Sequence, residues 1–388
     1  MRETFLPYCR PDVGEAEIEA VARSMRNGWL TTGPQTAEFE RAFARACGVP
    51  HAVALNSCTA GIHLALAASG VGPGDEVVMP SLTFAAGAQC ALELGAMPIF
   101  CDVEIDTFTA GVRTVAAVVT PRTRAIVAMP YAGRPQRIAE LAAFARERGI
   151  TLIEDAAHAA GMLDAGQCAG ARSDAAIYSF YATKNLTTGE GGMLVTNDEN
   201  LADRVRRLSL HGMSRDAWKR YTARGAWRYD ILEPGYKYNI GDVASSIGLV
   251  QLDRLPQMQA RRAEIARRYV EAFSDLHGLT VQRSCDGPLD RHSWCMFAVT
   301  IDPQSGVERD AFVEAMRERN VGTSVHYIPT HRFTAYKNLA QCELPNTEML
   351  GARIVSLPLY PTMTYSDVDD VVEAVRSVYR EGLKPVPS

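Results

Sequence analysis

Short apolar runs alternate with amphipathic stretches through the first half of the chain. Ala52 to Leu55, Glu76 to Pro80, Pro98 to Asp102, Ala125 to Met129 and Thr151 to Asp155 are each four or five residues long and almost continuously apolar. Between them, Ala60 to Ala68, Phe84 to Leu94 and Ile138 to Arg148 carry a helical pattern. Nearly continuous apolar strands separated by helices predict an α/β fold whose mostly parallel sheet is covered on both faces. Ala175 to Ser179 and Gly192 to Thr196 read as a closing pair, which brings the predicted sheet to seven strands.

After Asn200 the texture changes. A helix to about Ser209 leads into a polar, aromatic stretch from Trp218 to Tyr238. A connection of that length in a compact enzyme is usually functional or interfacial. Helical patterns follow over Val243 to Leu252 and Met258 to Phe273. The remainder mixes strands (Met296 to Ile301, Gly322 to His326) with helices (Arg309 to Arg319, Asp367 to Tyr379). The expected organisation is a large unit over residues 1–256, including an N-terminal arm and an interface loop at 212–240, and a small α+β unit over 257–388. The pairs Arg261-Arg262 and Arg267-Arg268 fit a solvated helix face better than a basic docking site.

A 388-residue chain that is 47% hydrophobic can bury a large core and a second, smaller one. Its net charge of −5 gives no electrostatic case for nucleic acid or an anionic membrane. No apolar run is long enough to span a bilayer, and the N-terminus lacks the apolar core of a signal peptide. The 9 cysteines are scattered without a C-x-x-C pair, which suits a reducing cytosol and argues against a structural metal. Cys90 and Cys101 read as core thiols.

Two segments carry chemistry. Ile153-Glu154-Asp155-Ala156-Ala157-His158 places an acid at the end of an apolar strand. Ser179-Phe180-Tyr181-Ala182-Thr183-Lys184-Asn185 places a lysine after another, followed by Gly189-Glu190-Gly191-Gly192. An acid for a ring nitrogen and a lysine able to form a Schiff base are what pyridoxal 5′-phosphate (PLP) most needs from a protein. Its phosphate also needs backbone amides at a helix N-terminus. Asn56 to Gly61 follows a strand and opens a helix, so its amides and the Thr59 hydroxyl are candidates, with Ser179 as a second hydroxyl. The same segment reads equally as an ordinary Ser/Thr helix cap. Phe84 follows the next strand and could cover the ring, or could be a core aromatic. Asp155 alone could be a cap, and Lys184 alone an exposed lysine. All these positions fall beyond the carboxyl ends of predicted strands, where open α/β sheets collect ligands.

With these pieces together, the chain resembles the DegT/DnrJ/EryC1/StrS family of PLP-dependent sugar aminotransferases nearly end to end. The likeness is carried by Gly28-Trp29-Leu30-Thr31-Thr32-Gly33-Pro34, Gly72 to Val77, Glu154 to His158, Ser179 to Asn185 with Glu190-Gly191-Gly192, and Pro234-Gly235-Tyr236-Lys237-Tyr238-Asn239. Within the family, His158, the Gly235 to Asn239 run and Ser356 to Pro361 favour a likeness to the UDP-4-amino-4-deoxy-L-arabinose–oxoglutarate aminotransferase branch. The resemblance implies the fold type I transferase architecture and the following roles. Lys184 would be the Schiff-base lysine and proton shuttle, and Asp155 the pyridinium partner. His158 would stand by the ring's 3′-oxygen, with Cys58, Thr59 and Ser179 on the phosphate and Phe84 on the ring. Asn239 would reach the phosphate site of a second copy, which makes the active unit a homodimer with shared sites. Thr32, Lys237 and His326 would face the substrate, and no metal is implied. The chain departs from the family at Cys58, where Gly, Ala or Ser is usual, and at Pro130. It departs from the arabinose branch at Ala226 to Asp230 and His331 to Tyr336, the expected sugar-nucleotide contacts.

The expected activity is transfer of an amino group from an amino acid, L-glutamate by resemblance, to a nucleotide-linked 4-keto sugar in the cytoplasm, with 2-oxoglutarate as co-product. Amination at C3 of a deoxysugar, or of a keto-inositol, stays open. A non-enzymatic PLP-binding regulator is the distant alternative, against which the intact Lys184 counts.

Overall fold

A computed structural model describes residues 2–214, 229–283, 285–339 and 342–382. The strands of the first half are β1 (His51–Leu55), β2 (Glu76–Pro80), β3 (Met97–Cys101), β4 (Thr123–Ala128), β5 (Thr151–Asp155), β6 (Ala175–Ser179) and β7 (Gly192–Thr196). They form one seven-stranded sheet in the order β1-β7-β6-β5-β4-β2-β3. β3, β2, β4, β5 and β6 run parallel, while β7 is antiparallel to both β6 and β1. This is the predicted mostly parallel sheet. The one turned strand, β7, lets β1 and β6 end on the same side.

Helices α1 (Glu15–Arg26), α2 (Pro34–Cys47), α3 (Cys58–Ala68), α4 (Ala86–Glu93), α5 (Val112–Ala116), α6 (Ile138–Glu147) and α7 (Glu199–Leu208) accompany the sheet. Alternation along the strands feeds two cores. Ile177 and Leu194 join Leu64, Met79, Ile153 and Val205 on one face; Tyr178 and Met193 join Phe39, Phe43 and Phe180 on the other. Each fully buried Phe or Leu contributes about 1.5–3 kcal/mol, so these two layers hold the strand ends in register. Cys90 and Cys101 are fully buried thiols, as expected.

The C-terminal part carries β8 (Leu279–Val281), β9 (Phe297–Ile301) and β10 (Ile354–Leu357) in an antiparallel sheet of order β10-β9-β8. Its helices are α9 (Arg309–Glu318), α10 (Pro345–Arg353) and α11 (Tyr365–Glu381), with α8 (Asp242–Phe273) leading into it. The N-terminal arm packs here rather than on the large sheet. Leu6 is buried in this second core and bridges Val321, and Arg2 pairs with Asp367 and Asp370.

Three expectations need correction. The two predicted helices Val243–Leu252 and Met258–Phe273 are the single 32-residue helix α8, with Pro256 inside it. Pro256 lacks an N–H and breaks isolated helices, but here α1 and α2 brace the first part and the second core buries Ile265, Tyr269 and Phe273. Packing overrides the local penalty. The helix therefore spans the position where the sequence was divided. Gly322 to His326 is not a strand; Ser324 makes an isolated bridge to Ser356, and the chain then turns toward the end of the large sheet. The arginines of α8 are not all solvated. Arg267 is, but Arg262 is 2% exposed and donates to the carbonyls of Trp294 and Leu359, and Arg261 and Arg268 stack on Tyr365.

Residues 215–228, which include the first half of the predicted polar stretch, lie outside the described residues. Its two ends are laced together: Met213 bridges Ile231, Leu210 bridges Lys237, and Asn239 bridges Leu55 at the end of β1. No helix among the described residues is long and apolar enough to cross a membrane.

Candidate active site

The carboxyl ends of β2, β5 and β6 open into a cleft of about 560 Å³. Lys184, Asp155, His158, Ser179, Cys58, Thr59, Phe84 and His326 all line it. Eight of the residues singled out in the sequence thus converge.

The register explains the convergence. Leu55 at the end of β1 and Ser179 at the end of β6 sit either side of Gly192 at the start of β7. The β1–α3 turn crosses directly over that glycine. A Cβ on Gly192 would lie 2.5 Å from the Ser57 carbonyl and 2.7 Å from the Cys58 nitrogen. Only glycine lets the N-terminus of α3 reach the strand ends. Ser57 caps α3 by accepting from the Ala60 amide at 3.0 Å. The ordinary cap is therefore real, and its hydroxyl belongs to Ser57. Thr59 remains exposed in the cleft beside the first free amides of the helix, a ready anion site.

Asp155 ends β5 and is buried. The Ala157 amide at 3.2 Å and the Cys58 thiol at 3.7 Å both donate to its Oδ1. Burial raises its pKa; the Ala157 amide, the Lys184 charge and the Cys58 thiol oppose that. A buried carboxylate held above its ordinary range is short of a cation. The Cys58 side chain is thus turned to Asp155 and to the Ile177 carbonyl, so any contact it makes with a phosphate runs through its backbone amide.

Lys184 stands in the loop that returns from β6 to β7. Its amide donates to the Tyr181 carbonyl at 2.9 Å, and Phe180 is clamped by the Thr188 amide and the Thr187 hydroxyl. Its ammonium is near enough for its charge to act on Asp155, Cys58, His158 and His326. His158 is buried, with Nε2 3.0 Å from the Tyr327 hydroxyl. Burial, then Lys184 and His326, hold it well below its ordinary pKa, so it is neutral. Its Nδ1 has no partner among the described residues. Burial and Lys184 push His326 down to about 4; its Nδ1 meets the Ser356 hydroxyl at 2.9 Å. Phe84 is 61% exposed inside the cleft, which excludes the core-aromatic alternative.

PLP fits these residues. Among the described residues Asp155 has no cation in ion-pair contact, His158 Nδ1 has no hydrogen-bond partner, Phe84 leaves most of its ring open to the cleft, and the N-terminus of α3 offers amides. Thr32, Lys237 and Asn239 do not line this cleft. They form their own cluster, in which Asn239 Nδ2 donates to Thr32 Oγ1 at 2.7 Å and Lys237 Nζ donates to Asn239 Oδ1 at 2.5 Å.

Of the expected contact run His331 to Tyr336, only Phe333 reaches the cleft. His331 is buried between Ser81 and Glu348, and Tyr336 bonds Gln89, so both serve packing. Ala226 to Arg228, from the other expected run, lie outside the described residues. Sequence reasoning missed Tyr327, Tyr131, Tyr181 and Ile328. Tyr131 donates to the His326 carbonyl, and Tyr327 holds His158. Nothing local marks either one, because their partners lie far away in sequence.

Glu154, next to Asp155, faces the opposite side of the sheet. It accepts from the Gly170 amide and the Ser173 hydroxyl through Oε1, while Oε2 is buried without a partner among the described residues. Burial pushes its pKa up to about 7. A carboxyl with a raised folded-state pKa contributes its full stability below the unfolded value and loses it as pH rises through about 7. That loss amounts to roughly 3 kcal/mol at about 1.4 kcal/mol per pKa unit. Glu154→Gln should therefore melt progressively higher than the parent as the buffer moves from acid to pH 8. Melting curves across that range check it; a gap that does not widen would show that Glu154 is not protonated in the fold.

A lysine, a buried acid and a helix N-terminus meeting at the strand ends of a seven-stranded sheet define a fold type I PLP-dependent aminotransferase. The model of the DegT/DnrJ/EryC1/StrS aminotransferase family matches residues 11–376, and the chain belongs to that family. It is 44% identical over 384 residues to the spore coat polysaccharide biosynthesis protein SpsC of Bacillus subtilis (strain 168), covering 98% of each chain. Among solved structures it is similar to the PLP form of Spr1654 from Streptococcus pneumoniae, with a TM-score of 0.89, 30% identity, and 98% and 100% of the two chains covered. It is also similar to DesI, solved in the presence of its TDP-sugar product, with a TM-score of 0.88, 32% identity, and 98% and 94% covered. The family is one of PLP-dependent sugar aminotransferases, and PLP is the cofactor.

Proposed function

We propose that this enzyme moves an amino group from L-glutamate to C4 of a nucleotide-linked 4-keto sugar. The observation that carries the proposal is the mouth of the cleft. Phe84, Ile328, Tyr181 and Phe333 line it at 61%, 49%, 47% and 40% exposure. Flat apolar walls of this kind suit the C–H face of a sugar ring and a nucleobase, and exceed what a small amino acid needs. The TDP-sugar in the DesI structure supports a nucleotide sugar as the substrate class.

PLP supplies an electron sink and a carrier for the amine. The residues of this chain do the rest. Lys184 takes a proton from the substrate carbon and returns it, as base and then acid. Asp155 keeps the ring nitrogen protonated. His158, neutral and fixed by Tyr327, offers a hydrogen bond without adding charge beside the lysine.

Among the described residues Lys184 is the only Lys or Arg lining the cleft. A sugar diphosphate brings two negative charges that one catalytic lysine does not balance. We assign that task to Thr32 and Lys237 of a second copy, whose Asn239, hydrogen-bonded to both, reaches the cofactor's phosphate, so that each site is built from both chains. Mixing Lys184→Ala with a disruptive change at Asn239, each inactive alone, should then restore part of the activity. A heterodimer carries one site with both lesions and one with neither. No recovery in a verified heterodimer would mean that each site is complete within one chain. On substrate addition, the visible band of the yellow enzyme should be lost with L-glutamate.

A further inference from the structure

We propose that Asn185 is the positioning residue for Lys184, and that it ties the lysine loop to the C-terminal part of the chain. Asn185 is 3% exposed and immediately follows Lys184. Its Nδ2 donates to the Ser293 carbonyl at 2.7 Å, to the Ala160 carbonyl at 3.2 Å and to Gln259 Oε1 at 3.3 Å. Three oxygens around one nitrogen fix the orientation of the amide. Gln259 cannot flip to compensate, because its Nε2 donates to the His292 carbonyl at 2.9 Å. The Oδ1 of Asn185 is left buried without a partner among the described residues. The side chain is therefore placed for its donors.

The three acceptors belong to three separate segments. Ala160 lies in the turn after β5 that carries His158. Gln259 lies on α8, beyond Pro256. Ser293 lies between β8 and β9. Ser293 is itself fully buried, donates its hydroxyl to the His158 carbonyl and its amide to the Gly133 carbonyl, and so joins the His158 turn to the Tyr131 turn. Gly133 is needed there, since a Cβ on it would overlap Ser293 Oγ. One residue after Lys184, the chain is thus locked to the base of His158 and to α8. On the other side of Lys184 the described contacts are weaker: the Cys9 thiol donates to the Thr183 carbonyl at 3.5 Å, and Tyr181, 47% exposed, bridges Gly189. Asn185 is not a catalytic residue; it acts through the placement of Lys184.

This inference rests on the reading of Lys184 as the Schiff-base lysine. The test compares four proteins: the parent, Asn185→Ala, Lys184→Ala and the double variant. In each, the PLP dissociation constant is measured by titration, and kcat and KM are measured where there is turnover. Misplacing a reacting group by about 1 Å can cost about 100-fold. Asn185→Ala should accordingly lower kcat by about 10- to 100-fold with KM little changed, and weaken PLP by about tenfold. In the Lys184→Ala background the same change should leave the PLP constant within about twofold, because there is no lysine left to position. Equal weakening in both backgrounds would reduce Asn185 to a general support of the pocket and overturn the inference. So would no effect in either. Should Asn185→Ala fail to fold, Gln259→Leu is put through the same four-way comparison with the same outcomes. Normal turnover by Lys184→Ala would instead sink the underlying reading, whatever Asn185 does.

Discussion

Lys184→Ala is expected to abolish transamination while leaving the fold intact. The lysine side chain is half-buried in the cleft, and the loop that carries it is built from backbone and Asn185 contacts that do not use it. Substitutions away from packed cores and networks usually change stability by no more than about 0.5 kcal/mol. The catalytic loss is of another order. A positioned proton-transfer group contributes about 10²- to 10⁴-fold, and on the proposed role the covalent anchor for the cofactor would go with it. We expect a fall of about 10⁴-fold or more. The variant should still hold PLP through the N-terminus of α3. His326, held near 4 partly by the Lys184 charge, should titrate higher in the variant by NMR. Steady-state rates with purified protein check the main claim, and substantial turnover would remove Lys184 from the mechanism.

Asp155→Asn should cost several powers of ten in rate, and weaken PLP as well. The carboxylate is buried at the end of β5, above its ordinary pKa, and among the described residues its hydrogen-bond donors are a weak thiol and one amide, with the Lys184 charge nearby. Its burial is repaid only when a cation arrives. An amide of the same shape cannot keep the ring nitrogen protonated. Carboxylate-to-amide changes that leave geometry intact but mis-set a catalytic ring cost roughly 10⁴-fold elsewhere. Single-turnover rates and a PLP titration on the same preparation measure both effects. Near-normal rates would mean that the ring nitrogen has a different partner.

Much of the fold was legible because its strands are buried on both faces and read as apolar runs. All seven strands of the large sheet fall where the pattern puts them. The chemistry-bearing positions of the large sheet were also local in sequence: Asp155 and Ser179 end strands, and Cys58, Thr59, Phe84, His158 and Lys184 lie within a few residues of one, so placement and residue type could be read together. What was missed depended on distance. Pro256 looked like a break because the packing that carries α8 past it comes from α1, α2 and the second core. Tyr327 and Tyr131 meet His158 and His326 only after the C-terminal part folds against the large sheet. The Arg262 guanidinium looked solvated from helical spacing alone, yet it caps two carbonyls of segments at Trp294 and Leu359. That Ser57 is the residue of its segment that caps α3 depends on backbone dihedrals that the sequence does not display.

The most direct test of the account is the position of the new amine. Purified enzyme, PLP and L-glutamate are incubated with a nucleotide-linked 4-keto sugar, and the product is read by NMR. The account predicts an amino group on C4 of the sugar, formed with one equivalent of 2-oxoglutarate for each amine transferred. An amine placed on C3 of a 3-keto sugar or on a keto-inositol, with 4-keto sugars left untouched, would contradict it.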